Sequence, residues 1–325
     1  MRKLLLIITF IFFNLYYAFA QYEINYPSWY PATTFKNLYM VCGDTNDIYA
    51  KEVIEIVRQN WKVTPVILLP PSIKVTDNLL LKGNLFLSVT SYSKTLTKGS
   101  GDLVSANDYF HLDVWTVKDV YKEGKEFGDY GFIIGSAELY NKTIGMGVIS
   151  RSSGEDFTSI LFQNDFLNGM KGNIKNIIQF FNSEIPKGND LKLLQDHTPT
   201  AEIANLKNDT LYVPNYWYGA EGTMIEKEKP GSSDYVRTEK YIAKMIASYP
   251  YKVKLLTRTE MNHLILNADK NIYYVNYIQS SADKIVSVTN GFTGAVVYSV
   301  VNRKSYRIKD SDLENIGKAV TDSFK

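Results

Sequence analysis

Asn37-Leu38-Tyr39-Met40-Val41-Cys42-Gly43-Asp44-Thr45-Asn46-Asp47 is the stretch whose reading decides the fold. Its first five residues form a short apolar run suited to a strand, Gly43 to Asn46 read as a turn, and Asp47 opens a stretch to Trp61. In that stretch Ile54, Val57 and Trp61 recur at helical spacing. The spacing puts them on one helix face, so the segment predicts a strand feeding an amphipathic helix. Asp44, Thr45 and Asp47 are residues that accept from the first amides of a helix, and capping is the role they predict. Working outward, Val66 to Leu69 reads as a second strand, Asp77 to Leu81 as a short Leu-rich helix and Asn84 to Val89 as a third strand.

The same order recurs in the second half of the chain. Asp209 to Val213 reads as a strand and precedes a helix from Ser233 to Tyr249, with Ile242, Met245, Ile246 and Tyr249 on one face. Val253 to Leu256 then matches the second strand, Met261 to Asn267 the short helix and Asn271 to Val275 the third strand. Asp47 to Leu85 and Asp234 to Ile272 span the same number of residues. Each half continues with antiparallel material. Tyr109 to Val117, Gly131 to Tyr140 and Gly145 to Ser150 serve the first half; Lys284 to Thr289 and Ala295 to Val301 serve the second, around Asn290-Gly291-Phe292-Thr293-Gly294. Asn-Gly tolerates positive φ and is a strong hairpin signal. Closing helices follow at Asn173 to Phe181, with Ile174, Ile177, Ile178 and Phe181 in register, and at Ser311 to Phe324, where Ser311 and Glu314 form a capping pattern.

The reading is therefore an α/β (α+β) chain of two tandem duplicated β-α-β-α-β-β-α domains with mixed sheets. Residues 37–185 form the first domain, 186–207 a polar linker and 208–325 the second domain. This element order, with the hairpin turn Asn290 to Gly294, resembles the small α/β domains of periplasmic and outer-membrane assembly factors, the N-terminal domain of the Tol-system propeller proteins among them. The resemblance implies an interaction role in the cell envelope and carries over no functional residue.

Arg2 and Lys3, an apolar run from Leu4 to Tyr17 and Ala18-Phe19-Ala20 follow the tripartite order of a secretory signal peptide over residues 1–20. The run is shorter than a membrane span needs, and no cysteine stands at the cleavage position for lipid attachment. The mature protein is thus expected in the periplasm, at the outer-membrane periphery or outside the cell, with no transmembrane segment after cleavage. Asn141-Lys142-Thr143 and Asn208-Asp209-Thr210 would be glycosylation acceptors only in a eukaryotic secretory route. The net charge of +2, with both signs interspersed, argues against nucleic acid as a partner. Cys42 is the single cysteine, so no internal disulfide can form, and its place in an apolar strand suits a small buried side chain.

Catalytic patterns are sparse. The first βα turn lacks the glycines of a phosphate-binding loop, so no nucleotide cofactor is implied. His111 and Asp113 alternate along a strand and share a face, which could begin a metal site or pair a base with its orienting acid. No Cys/His cluster supplies further ligands, and no metal is expected. His197 and His263 stand without patterned partners. Ser91-Tyr92-Ser93-Lys94 and Ser281-Ala282-Asp283-Lys284 spell Ser-x-x-Lys without its companion motif, and Glu138, Glu155 and Asp156 are carboxylates with no readable pairing. What stands out is aromatic residues in irregular segments. Tyr22, Tyr26, Trp29 and Tyr30 lie in an N-terminal arm over residues 21–36, and Tyr216, Trp217 and Tyr218 open an insertion running to Ser232. Large rigid rings with polar handles suit recognition, so Trp29, Tyr30, Tyr216, Trp217 and Tyr218 are the candidate partner-binding residues. The leading expectation is a non-enzymatic envelope scaffold or accessory protein that binds a partner protein. Its alternatives are a glycan- or peptidoglycan-binding module that stacks sugars on these rings, and a hydrolase with an unrecognised site.

Overall fold

The computed structural model describes residues 21–25, 35–42, 47–70, 79–97, 103–118, 130–139, 168–192, 199–215, 233–280, 283–302 and 308–325. The first half contains β1 (Tyr22–Ile24), β2 (Asn37–Val41), α1 (Ile48–Asn60), β3 (Val66–Leu69), β4 (Asn84–Thr97), β5 (Leu103–Val117), β6 (Gly131–Leu139), α2 (Lys171–Glu184) and β7 (Leu191–Lys192). The second contains β8 (Leu211–Pro214), α3 (Ser233–Ala247), β9 (Val253–Leu256), α4 (Arg258–Leu266), β10 (Tyr273–Ser280), β11 (Asp283–Asn290), β12 (Val296–Asn302) and α5 (Asp310–Asp322).

The fold is α/β, with two mixed sheets in the orders β3-β2-β4-β5-β6-β1-β7 and β12-β11-β10-β8-β9. Read from their parallel ends, β3-β2-β4-β5-β6 and β9-β8-β10-β11-β12 follow one connectivity. The second strand of each order, β2 or β8, pairs parallel with both neighbours, and the rest is antiparallel meander. The second half runs β-α-β-α-β-β-β-α, one strand more than the order read from sequence.

Helix α1 starts where Asp47 Oδ1 accepts from the Ala50 amide at 2.9 Å, and its stripe of Ile54, Val57 and Trp61 is buried on the first sheet. Asp44 and Thr45 lie outside the described residues. The cap of α5 corrects the sequence reading. The helix begins a residue early, so Asp312 and not Ser311 serves its first turn, accepting from the Lys309 amide at 2.6 Å. Asp312 also pairs with the buried Lys284 ammonium, a second partner that Ser311 could not provide. The start of the aromatic arm is a strand. Tyr22 and Ile24 alternate with Gln21 and Glu23, and pairing with β6 turns both apolar side chains into the core. Within the linker, Ala201–Lys207 is a 3-10 helix that buries Ile203 and Leu206 in the second core. Of the expected Leu-rich helix, Leu79, Leu80 and Leu81 are described and are not helical; Gly145 to Ser150 lies outside the described residues.

Helix α2 joins the halves. Ile174, Ile177, Ile178 and Phe181 fill the first core, while its opposite side meets α4 and the second sheet. There the Gly172 amide donates to Asn262 Oδ1 at 2.8 Å, the Tyr274 hydroxyl donates to Asn176 Oδ1 at 3.0 Å, and Asn176 Nδ2 donates to the Gly291 carbonyl at 3.1 Å. Gly294, at φ +76, brings the β11–β12 turn so close that a Cβ would lie 2.6 Å from the Asn176 carbonyl oxygen. Tyr273, next to Tyr274 and so on the other face, reaches Asn205 of the 3-10 helix at 2.8 Å. The second sheet is therefore covered on both faces. Among the described residues no helix is long and apolar enough to cross a membrane.

Candidate functional site

The first sheet buries its helix-facing side with Leu85, Leu87, Leu112, Val114 and Ala137, an apolar alternation. Its other face divides into two zones. At one corner Tyr39, Phe86 and Trp115 stack, with ring centroids 5.4 and 4.1 Å apart. Beside them strand register assembles polar groups in two rungs. Thr90, His111 and Glu138 stand opposite one another on β4, β5 and β6; Ser88, Asp113, Ser136 and Glu23 do so on β4, β5, β6 and β1. A β-bulge between Val114 and Trp115 separates the zones. Trp115 Nε1 links them by donating to Ser88 Oγ at 3.2 Å.

Asp113, 0% exposed, is the hub. Ser136 Oγ donates to its Oδ1 at 2.6 Å, and Thr90 Oγ1 donates to its Oδ2. His111 Nδ1 lies 2.8 Å from Ser136 Oγ. A serine hydroxyl has one hydrogen, and here it is directed at Asp113. With Asp113 ionised, His111 Nδ1 is then the donor to Ser136 Oγ, and Nε2 is the lone-pair nitrogen of the ring. Burial pushes the Asp113 carboxyl up, opposed by His111 and the two hydroxyls, and pushes the imidazole of His111 down, opposed by Asp113. Burial alone pushes Glu138, 2% exposed, up to about 8.

The arrangement fixes a neutral imidazole in one tautomer through an intervening hydroxyl. It differs from a hydrolytic triad, where the histidine receives the proton of the serine; here that proton is committed to the carboxylate. Among the described residues no group of three or more His, Cys, Asp or Glu could hold a metal ion. The expected sharing of a face by His111 and Asp113 is present, joined by Ser136 and Thr90, which sequence reasoning did not single out. Ser136 and Glu138 carried a signal, as polar residues at every second position of an otherwise apolar strand.

Ser91 and Lys94 both lie on β4, in an extended strand. Residues three apart there are separated by roughly 10 Å along the chain, against a single turn in the helical Ser-x-x-Lys arrangement. Ser281 lies outside the described residues, and Lys284 is committed to Asp312. Trp29, Tyr30, Tyr216, Trp217, Tyr218, Glu155, Asp156 and His197 also lie outside them. His263 is exposed on α4, and Cys42 is buried.

No family model matches the chain, and neither the curated proteins nor the solved structures contain a match to it.

Proposed function

We propose that the chain is an exported envelope accessory protein, without catalytic activity, that docks a partner protein, and that its two halves descend from one duplicated unit. The observation that carries the docking reading is the β4–β5 hairpin. β2 pairs with β4 only over Asn84 to Leu87, and β6 pairs with β5 only over Phe110 to Val117. Beyond the Ser91–Phe110 rung, among the described residues, the hairpin is paired to itself alone and runs on to Thr97 and Leu103, about 20 Å further. The equivalent β10–β11 hairpin closes at Ser280 and Asp283. A two-stranded ribbon is marginal in water by itself, and its outer edges offer the backbone groups that strand addition uses. The N-terminal signal pattern supports the envelope location, and the resemblance to assembly-factor domains supports the interaction role.

The experiment joins Ser93 to Asp108 through an Asn-Gly turn, copying the short hairpin of the second half. The shortened protein is expected to keep its melting temperature and to lose a stoichiometric partner that the full chain retains on purification from native membranes. A full chain that purifies as a partner-free monomer, or a shortened chain that retains the partner, overturns the reading.

A further inference from the structure

We propose that the seam between the two halves is a binding site for a small neutral hydroxyl-rich ligand, a monosaccharide or related polyol. Asn276, Ser287 and Ser299 stand directly opposite one another across β10, β11 and β12, on the face of the second sheet that Tyr274 turns toward α2. Thr289 lies on the same face, two residues along β11. All four are at most 2% exposed. Among the described residues Asn276 Oδ1, Ser287 Oγ, Thr289 Oγ1 and Ser299 Oγ have no hydrogen-bond partner. From the first half, the buried Tyr22 phenol meets the side chains of Asn276 and Gln21, which places β1 over this row.

Directly opposite strand positions bring Cβ atoms within about 5.5 Å, so these atoms form one contiguous patch. Buried polar atoms in folded proteins are almost always paired, and a row of unpaired ones implies a polar occupant. The row is neutral. The nearby Lys175 ammonium is directed at the Ile265 carbonyl at 2.8 Å, and among the described residues no charged side chain bonds to these four atoms to favour an anion or a cation. A ligand hydroxyl donates and accepts at once, which suits an amide oxygen next to hydroxyls. Full burial means that such a ligand enters only when the halves part along α2. The inference does not depend on the docking of a partner protein.

The test is thermal denaturation of the full chain with glucose or N-acetylglucosamine, with trimethylamine N-oxide, which has no hydroxyl, as the control for general osmolyte stabilisation. Ser287→Ala/Ser299→Ala is the disabling variant and Thr289→Val, nearly isosteric, the second. At least one sugar is expected to raise the wild-type midpoint saturably, with a tenfold or weaker apparent affinity in both variants. The ligand-free midpoint of the double variant should equal or exceed that of the wild type, because two unpaired buried hydroxyls are gone. No saturable shift with either sugar, the same shift in all three proteins, or a crystal structure grown with the sugar and showing the seam filled by water alone overturns the proposal.

Discussion

Glu138 gives the first sheet a pH signature that can be measured. Its carboxyl is buried and pushed up to about 8 in the folded protein, against an ordinary value of 4.5 in the unfolded chain. A raised acid favours folding below 4.5 and loses that contribution as pH climbs through 8, so stability should fall across this window by up to about 5 kcal/mol. Urea denaturation at pH 5 and pH 8.5 should show the fall in the wild type and little of it in Glu138→Gln; equal slopes would refute the assignment. Ser136 sits between His111 and Asp113, and Ser136→Ala leaves both buried partners short of a hydrogen bond, at a cost of about 1–3 kcal/mol in chemical denaturation. Gly294 tests the other half. Gly294→Ala combines positive φ with a Cβ 2.6 Å from the Asn176 carbonyl oxygen, so it should destabilise by more than the roughly 1 kcal/mol of an ordinary exposed glycine replacement.

Among the elements, α5 is fixed to its sheet by a buried ion pair. Lys284 and Asp312 are both nearly inaccessible, and Asp312 also accepts from Lys309 N and from Asn302 Nδ2 at 3.3 Å. Asp312→Ala leaves the ammonium buried without its carboxylate and should cost about 3–5 kcal/mol in urea denaturation, whereas Lys284→Met/Asp312→Leu should recover much of it. A double variant as unstable as the single one would show that the helix cap, and not the uncompensated charge, dominates. The helical stripes of α1, α2 and α3 were legible from sequence because a 3.6-residue period reports directly on the face that is buried. The length of β4 and β5 was not. Their outer residues, Ser91 to Thr97 and Leu103 to Asp108, form a mixed polar run whose extended state depends on the strand opposite.

For the whole molecule, α2 makes the two halves one folding unit in spite of the repeat. Its apolar side completes the first core, its polar side bonds to Tyr274, Asn262 and Gly291, and Val296 of the second half packs into the first core. Calorimetry should therefore show a single cooperative transition, and two separated transitions would mean that the halves unfold independently. Local periodicity by itself determined the α/β class, the repeated order of elements, the buried stripes, the turn at Asn290-Gly291 and the face shared by His111 and Asp113. Those features depend on residues close in the chain, where spacing alone specifies which side chains lie together. Tertiary structure decided what each face meets. Asn276, Ser287 and Ser299 are polar residues set among apolar ones in their strands, and only strand register brings them side by side, on a face that packing buries. Ser136 became the bridge between His111 and Asp113 only through the register of β6 against β5. Register and interdomain packing join positions far apart in sequence, and no local pattern encodes them.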